Sequence, residues 1–160
     1  MRGGFRAVEE LTELYDKIYR YSFYKVRNRA AAEDITQETF LKFFAQMPKI
    51  KRGEDMAYLY TITKNLCTDY FRKKQPEELP EDYPSEDFSD ASDTKIAVRA
   101  ALERLDEHQK EFVLLRYLGG LTVKEAAEAM GISRFAAHRL DKAALSEMKK
   151  YLKGALQYEV

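Results

Sequence analysis

Apolar positions recur at steps of three and four along most of this chain. Val8, Leu11, Tyr15, Ile18, Ser22 and Val26 form one such series. Ala32, Ile35, Thr39, Phe43 and Met47 form a second, widened by Phe40 and Phe44, and Leu59, Ile62, Leu66 and Tyr70 form a third. That period puts each series on one face of a helix and predicts three amphipathic helices near 7–27, 31–47 and 54–74. Pro48 stops the second, and Gly53 marks the joint before the third. No run alternates apolar with polar residues, so no sheet is expected.

Four further helices are expected after residue 92, and their ends are written in the sequence. Asp93 suits the N-cap of the first. Asp106 suits that of the second, with Gln109 three residues on. Gly119-Gly120 ends the second helix, and Thr122-Val123-Lys124-Glu125 has the spacing of a capping box for the third. Gly131 ends the third, and Ser133 caps a fourth that runs to about Leu152.

Between the two sets lies QPEELPEDYPSEDFSDASD, which holds Pro76, Pro80 and Pro84. Proline breaks helices and the acids repel one another, so residues 75–92 are expected to be a flexible acidic linker. The fold class is therefore all-α: two small helical domains, residues 1–74 and 93–160, joined by that linker. Each has fewer than about 80 residues, too few for a large core.

The formal net charge of zero hides an uneven distribution. Residues 1–74 carry 15 Lys and Arg against 10 Asp and Glu, net +5, whereas residues 75–95 are net −7 and residues 96–160 net +2. Two basic blocks around an acidic spacer point to a charged partner. No stretch approaches the roughly 18 consecutive apolar residues of a membrane span. The opening MRGGFRAVEELTELY has no apolar run, so no secretory signal and no membrane insertion are expected. A lone Cys67 can form neither an internal disulfide nor a structural zinc site, which suggests a reducing cytoplasm.

The run LTVKEAAEAMGISRFAAHRLDKAALSEM is a short helix, a glycine turn and a longer helix. Ala126, Ala127 and Met130 would face Ile132, Ala137, Leu140 and Ala144 across the turn, the alanines allowing a close crossing. This is the helix-turn-helix pattern, whose second helix enters the DNA major groove. Arg134, Phe135, His138, Arg139 and Lys142 would be its outward residues, with cations for guanine edges and phosphates and Phe135 for a thymine methyl. Lys124 would be a phosphate contact. A plain helical hairpin with a solvated basic face is the competing reading.

The third helix carries Tyr58, Tyr60, Tyr70 and Phe71 among Lys64, Asn65 and Arg72-Lys73-Lys74, after a loop with Lys49, Lys51 and Arg52. Aromatics between cations suit single-stranded nucleic acid. They equally suit core packing, with the terminal cations complementing the helix dipole. Glu33, Asp34 and Glu38 would fall in the first turns of the second helix, where the dipole favours carboxylates. As metal ligands they would need facing acids, and Glu9, Glu10, Glu13 and Asp16 have no convincing spacing. No Gly-rich phosphate loop, nucleophile motif or Cys/His cluster appears, so neither an enzyme nor a cofactor is expected; His108 and His138 each stand alone.

AEDITQETFLKFF, AYLYTITKNLCTDYFRK and LERLDEHQKEFVLLRYLGGLTVKEAAEAMGIS, in this order, resemble a bacterial sigma factor of the extracytoplasmic-function (ECF) group of the sigma-70 family, over nearly all of residues 7–152. The resemblance implies a non-enzymatic subunit of RNA polymerase that selects promoters. Asp34, Gln37, Glu38 and Leu41 then match the docking surface for the clamp helices of the largest polymerase subunit. The loop from Pro48 to Met56, with Lys51 and Arg52, matches the pocket for a flipped minus-ten base. Asn65 matches a promoter-reading asparagine, Arg72 a basic position beside it, and Tyr58 a position where the family often has Trp. The helix from Ser133 matches the minus-thirty-five reader, although Ala136, Ala137 and Asp141 replace the usual Thr, Val and an apolar residue. The family also implies an anti-sigma partner, often membrane-anchored.

Two other functions compete. One is a helix-turn-helix regulator with an N-terminal sensor or dimerisation domain; the chain lacks a phosphoacceptor βαβ pattern. The other is an all-α metal-dependent nucleotide phosphohydrolase.

Overall fold

The computed structural model describes residues 8–46, 55–73 and 92–155. Lys51, Arg52 and most of the Pro48–Met56 loop lie outside these residues, as does nearly all of the acidic linker. The described residues form seven α-helices and one π-helical turn: α1 (Val8–Val26), α2 (Arg29–Gln46), α3 (Asp55–Lys73), α4 (Asp93–Glu103), α5 (Glu107–Val113), the π turn (Leu114–Leu118), α6 (Val123–Met130) and α7 (Arg134–Ala155).

Helices α5, α6 and α7 start at the caps that the sequence marks. Both capping boxes form: Asp106 with Gln109 opens α5, and Thr122 with Glu125 opens α6. Each satisfies two backbone donors that the helix start leaves over. Gly131 closes α6 at φ 69°, ψ 33°, and Ile132 N–H reaches back to the Ala127 carbonyl at 3.0 Å. A side chain at that left-handed position would be strained. Ser133 caps α7 through the Ala136 N–H at 3.0 Å.

Three local expectations are corrected. The N-cap of α4 is Ser92, whose hydroxyl accepts from Lys95 N–H; Asp93 falls inside the first turn, where it complements the dipole. Helix α2 begins at Arg29, two residues early, because Arg27 turns to φ 54° and the Asn28 side chain accepts the Ala31 N–H at 2.9 Å. No acid then lies in its first turn, so the dipole does not account for Glu33, Asp34 and Glu38. In α3 the fully buried line is Leu59, Tyr60, Thr63 and Cys67, while Ile62, Leu66 and Tyr70 are only partly covered. Thr63 fits the core because its hydroxyl donates back to the Leu59 carbonyl at 2.9 Å and lies 3.3 Å from the Thr39 hydroxyl.

The two blocks bury one core between them. Leu14, Ile18, Tyr21, Phe43, Leu59 and Tyr60 from α1–α3 pack into the same cluster as Phe112, Leu114, Leu115, Leu121, Ala126, Ala127 and Ala137. Helix α3 lies against α6, and α1 against the π turn. This explains why Leu14 and Tyr21, absent from the expected stripe of α1, are buried: they form a second apolar edge that meets the other block. Tyr21 and Tyr60 meet edge to face, ring centres 5.4 Å apart, and the Tyr60 hydroxyl donates to the Gly119 carbonyl at 3.0 Å. A Cβ at Gly119 would come within 2.8 Å of the Tyr60 ring.

Candidate nucleic-acid interface

Helix α7 is positioned by two alanine contacts and one polar contact. Ala126 and Ala127 of α6 and Ala137 of α7 are buried, so the two backbones cross closely. Asp141, which stands where an apolar residue was expected, accepts a hydrogen bond from the Tyr117 hydroxyl at 2.8 Å. Burial, and then this carboxylate, raise the Tyr117 pKa above its usual 10. The bond ties the rotation of α7 to the π turn. Sequence reasoning did not find it, because an i+24 pair leaves no periodic trace.

That rotation leaves Arg134, Phe135, His138, Arg139 and Lys142 exposed along one side of α7, with Lys124 exposed in the first turn of α6. Phe135 is 73% exposed, extreme for a phenylalanine, and the Arg139 guanidinium lies 5.3 Å from its ring centre. An exposed cation–π contact holds the arginine in one orientation at small cost. The face presents cations, an apolar ring and an imidazole, the chemistry that reads base edges in a major groove.

On α3, Tyr58, Asn65 and Arg72 are all exposed. They are seven residues apart, so they share one side of the helix within about 20° per step. Tyr58 is 37% exposed, with its ring tilted against Phe43 at 6.4 Å between centres, so part of the ring is open to solvent. Arg72 pairs loosely with Asp69 at 3.5 Å, both partly in solvent. Phe71 is 43% exposed beside Tyr70. The core takes Tyr60 and leaves Tyr58 and Phe71 at the surface, which divides the aromatics between the two readings that the sequence left open.

On α2, Asp34, Gln37, Glu38 and Leu41 form an exposed stripe opposite the buried Ala32, Ile35, Thr36, Thr39 and Phe43. Leu41 is 72% exposed, and Phe44 beside it is 45% exposed. Acids beside bare apolar side chains suit a protein partner and repel phosphate. Among the described residues, no three His, Cys, Asp or Glu side chains come together as metal ligands. The exposed faces therefore sort by chemistry: acidic and apolar on α2, aromatic and amide on α3, basic on α7. The described residues include no helix long and apolar enough to cross a membrane.

Comparison with known proteins gives two family matches: sigma-70 region 2 over residues 11–77, and sigma-70 region 4 over residues 95–139. The ECF RNA polymerase sigma factor BldN of Streptomyces coelicolor is 34% identical over 154 residues, covering 86% of this chain and 56% of that protein. The ECF RNA polymerase sigma factor SigE of Mycolicibacterium smegmatis is 32% identical over 128 residues, covering 73% of this chain and 50% of that protein. The chain thus spans about half the length of these relatives. In fold, it resembles the sigma factor RpoE of Bartonella quintana, solved in complex with the anti-sigma factor NepR. The TM-score is 0.65 at 22% identity, over 91% of this chain and 95% of that one.

Proposed function

The chain belongs to the sigma-70 family, in its ECF group, and from that membership we propose that it directs core RNA polymerase to promoters as a specificity subunit without catalytic activity of its own. Residues 1–74 dock polymerase through Asp34, Gln37, Glu38 and Leu41 on α2. The same block reads and melts the minus-ten element through Tyr58, Asn65 and Arg72 on α3, with Lys51 and Arg52 as phosphate anchors. Residues 93–160 read the minus-thirty-five element through α7, with Lys124 on the backbone, and residues 75–92 tether the two. The protein works in the bacterial cytoplasm. An anti-sigma protein is a further partner in this reading; the Bartonella sigma factor of similar fold was solved in complex with the anti-sigma factor NepR.

One observation supports this reading: three exposed faces of different chemistry, acidic and apolar, aromatic and amide, and basic, sit on three helices. Asn65 offers a donor and an acceptor to a base edge, and its neighbours along the face offer a ring and a guanidinium. A flipped base needs such partners to offset lost stacking, roughly a few kcal/mol.

Reconstitution tests it. The purified chain should co-elute with core polymerase and support run-off transcription from promoters mapped after its overexpression. Glu38→Lys should weaken polymerase binding at least about tenfold, which is about 1.4 kcal/mol, with an unchanged melting curve. Asn65→Ala should leave closed complexes intact and reduce permanganate-reactive thymines. Specific duplex binding with no affinity for polymerase would instead favour a free-standing helix-turn-helix regulator.

A further inference from the structure

The exposed large apolar side chains of the described residues fall into two sets. Leu41, Phe44, Tyr58, Phe71 and Phe135 lie on the faces of α2, α3 and α7 described above. The others, Ile96, Val98, Tyr117 and Leu145, all line one cavity of about 760 Å³. Single exposed apolar residues are ordinary, but a group of them around one hollow marks a binding site. The volume falls in the range of small-molecule sites, roughly 300–1,000 Å³.

We propose that this cavity binds an amphipathic carboxylate, one aliphatic chain with one anionic head, held between α4, the π turn and α7. The site is separate from the three faces proposed for polymerase and promoter, and it does not depend on them.

The walls suit the chain. Ile96 and Val98 come from α4, Leu114 and Leu118 from the π turn, and Leu145 and Met148 from α7. Methylenes placed among these side chains leave water, and so do the side chains. The π turn widens its helix beside the cavity: Gly119 N–H donates to the Leu114 carbonyl at 2.8 Å, five residues back. Turns of this kind are frequent at functional sites.

Charge selects the head. Lys95 and Arg99 line the cavity one turn apart on α4, which puts their Cβ atoms about 5–6 Å from each other, within reach of the two oxygens of one carboxylate. Lys95 is exposed and makes no ion pair among the described residues. Arg99 lies over the Tyr24 ring, 5.6 Å from its centre. Glu103 is the one acid among the lining residues, and it already accepts from Lys110 and from the Tyr24 hydroxyl, each at 3.0 Å. The wall thus offers an uncompensated ammonium and no uncompensated carboxylate. Tyr24 of α1 and Glu103, the last residue of α4, both line the cavity and are bonded to each other, which walls it at that end. A closed end suits a ligand of limited length, whereas a partner's helix would have to continue past it.

Calorimetric titration of the full chain with dodecanoate, below its micelle concentration, tests this. A single equivalent should bind and saturate. Decanoate, two methylenes shorter, should bind about threefold to tenfold more weakly. Dodecyltrimethylammonium, which keeps the chain length and reverses the charge, should bind at least about tenfold more weakly than dodecanoate. Lys95→Glu should weaken dodecanoate about tenfold and narrow the gap between the two amphiphiles. Leu145→Gln should weaken both. Lys95 and Leu145 are exposed and lie on none of the three faces, so helix content should not change. If Leu145→Gln does lower it, Ile96→Gln on α4, also exposed, takes its place. Absence of saturable dodecanoate binding overturns the proposal. So does equal binding of the two amphiphiles, or an unchanged affinity in both Lys95→Glu and Leu145→Gln. A chain that dimerises, and whose dimer Leu145→Gln splits, gives the cavity to a second copy and overturns it too. Transcription is not the readout, so none of these results bears on promoter reading.

Discussion

The second helical block is held largely by hydrogen bonds between near neighbours, and the first by large side chains that meet across long stretches of sequence. In the second, Asp106 with Gln109, Thr122 with Glu125, Ser133 with Ala136, and the left-handed Gly131 fix four helix ends within a few residues each. In the first, Tyr21, Phe43 and Tyr60 are fully buried, and the Tyr60 hydroxyl finds its partner 59 residues away. Local bonds define the helix ends of the helix-turn-helix, while its alanines pack into the shared core. Long-range packing couples the first block to whatever its core touches, which here is the other block.

The sharpest way to break this contrast is to remove a ring from the shared core. Tyr60→Ala should cost about 3–5 kcal/mol, the usual range for deleting a buried aromatic. Because its ring packs on both Tyr21 and Gly119, urea melts followed by probes in either block should move together. Separate shifts, confined to α1–α3, would mean that the blocks fold independently and that the common core adds little.

A smaller effect separates shape from reading. Arg139→Ala should leave the melt unchanged, since the side chain is exposed and lies over the likewise exposed Phe135 ring. It should cost about 1–3 kcal/mol at a cognate minus-thirty-five site and relax preference at one base. Lys124→Ala should weaken all sequences alike and flatten the salt dependence. Equal losses on every sequence from both changes would reduce Arg139 to a phosphate contact. Cap removal is gentler still. Thr122→Ala should lower stability by about 1 kcal/mol, with hydrogen-exchange loss centred on α6. Spread into α1–α3 would show that the caps are less local than their bonds.

The same contrast explains what could be read in advance. Caps and glycine turns are short-range devices, so α5–α7, the turn and the outward residues of α7 were legible from residue order alone. Three features were not. Thr63 and Cys67 look polar or neutral in a sequence, and only the back-bonded hydroxyl makes Thr63 a core residue. Leu14 and Tyr21 form a stripe whose meaning depends on a second block that helical periodicity cannot place. The buried Glu111 became intelligible only once Tyr21 and Lys25 were seen beside it, 90 and 86 residues away. The face on α2 proposed for docking was named by resemblance, and what the structure adds is its exposure and the helix start. With α2 beginning at Arg29, the dipole no longer accounts for the acids, and the exposure of Leu41 and Phe44 does the arguing.

The smallest effect expected is a pH dependence at the rim of the interblock contact. Glu103 accepts from Lys110 at 3.0 Å within its own block and from Tyr24 at 3.0 Å across to the other. The Lys110 hydrogen bond, foremost, holds its carboxyl below the usual 4.5, with the Tyr24 bond adding to it. A lowered folded pKa means that the folded chain resists protonation there. The stabilisation is therefore present above the unfolded value and lost as pH falls through the folded one. With Glu103 53% exposed, the loss should be well under 1 kcal/mol. Tyr24 works in the opposite direction. Burial and then Glu103 raise it from 10 to about 12, so its contribution is present below pH 10 and lost as pH rises through about 12. Burial also raises Tyr21 and Tyr60, so most of the alkaline loss belongs to the shared core. Urea midpoints against pH separate the two. Glu103→Gln should flatten the acid limb and leave most of the alkaline limb, because Tyr21 and Tyr60 keep their burial. If the alkaline limb vanished with Glu103, the rim rather than the rings would be holding the blocks together, and the contrast between local and long-range stabilisation would have to be redrawn.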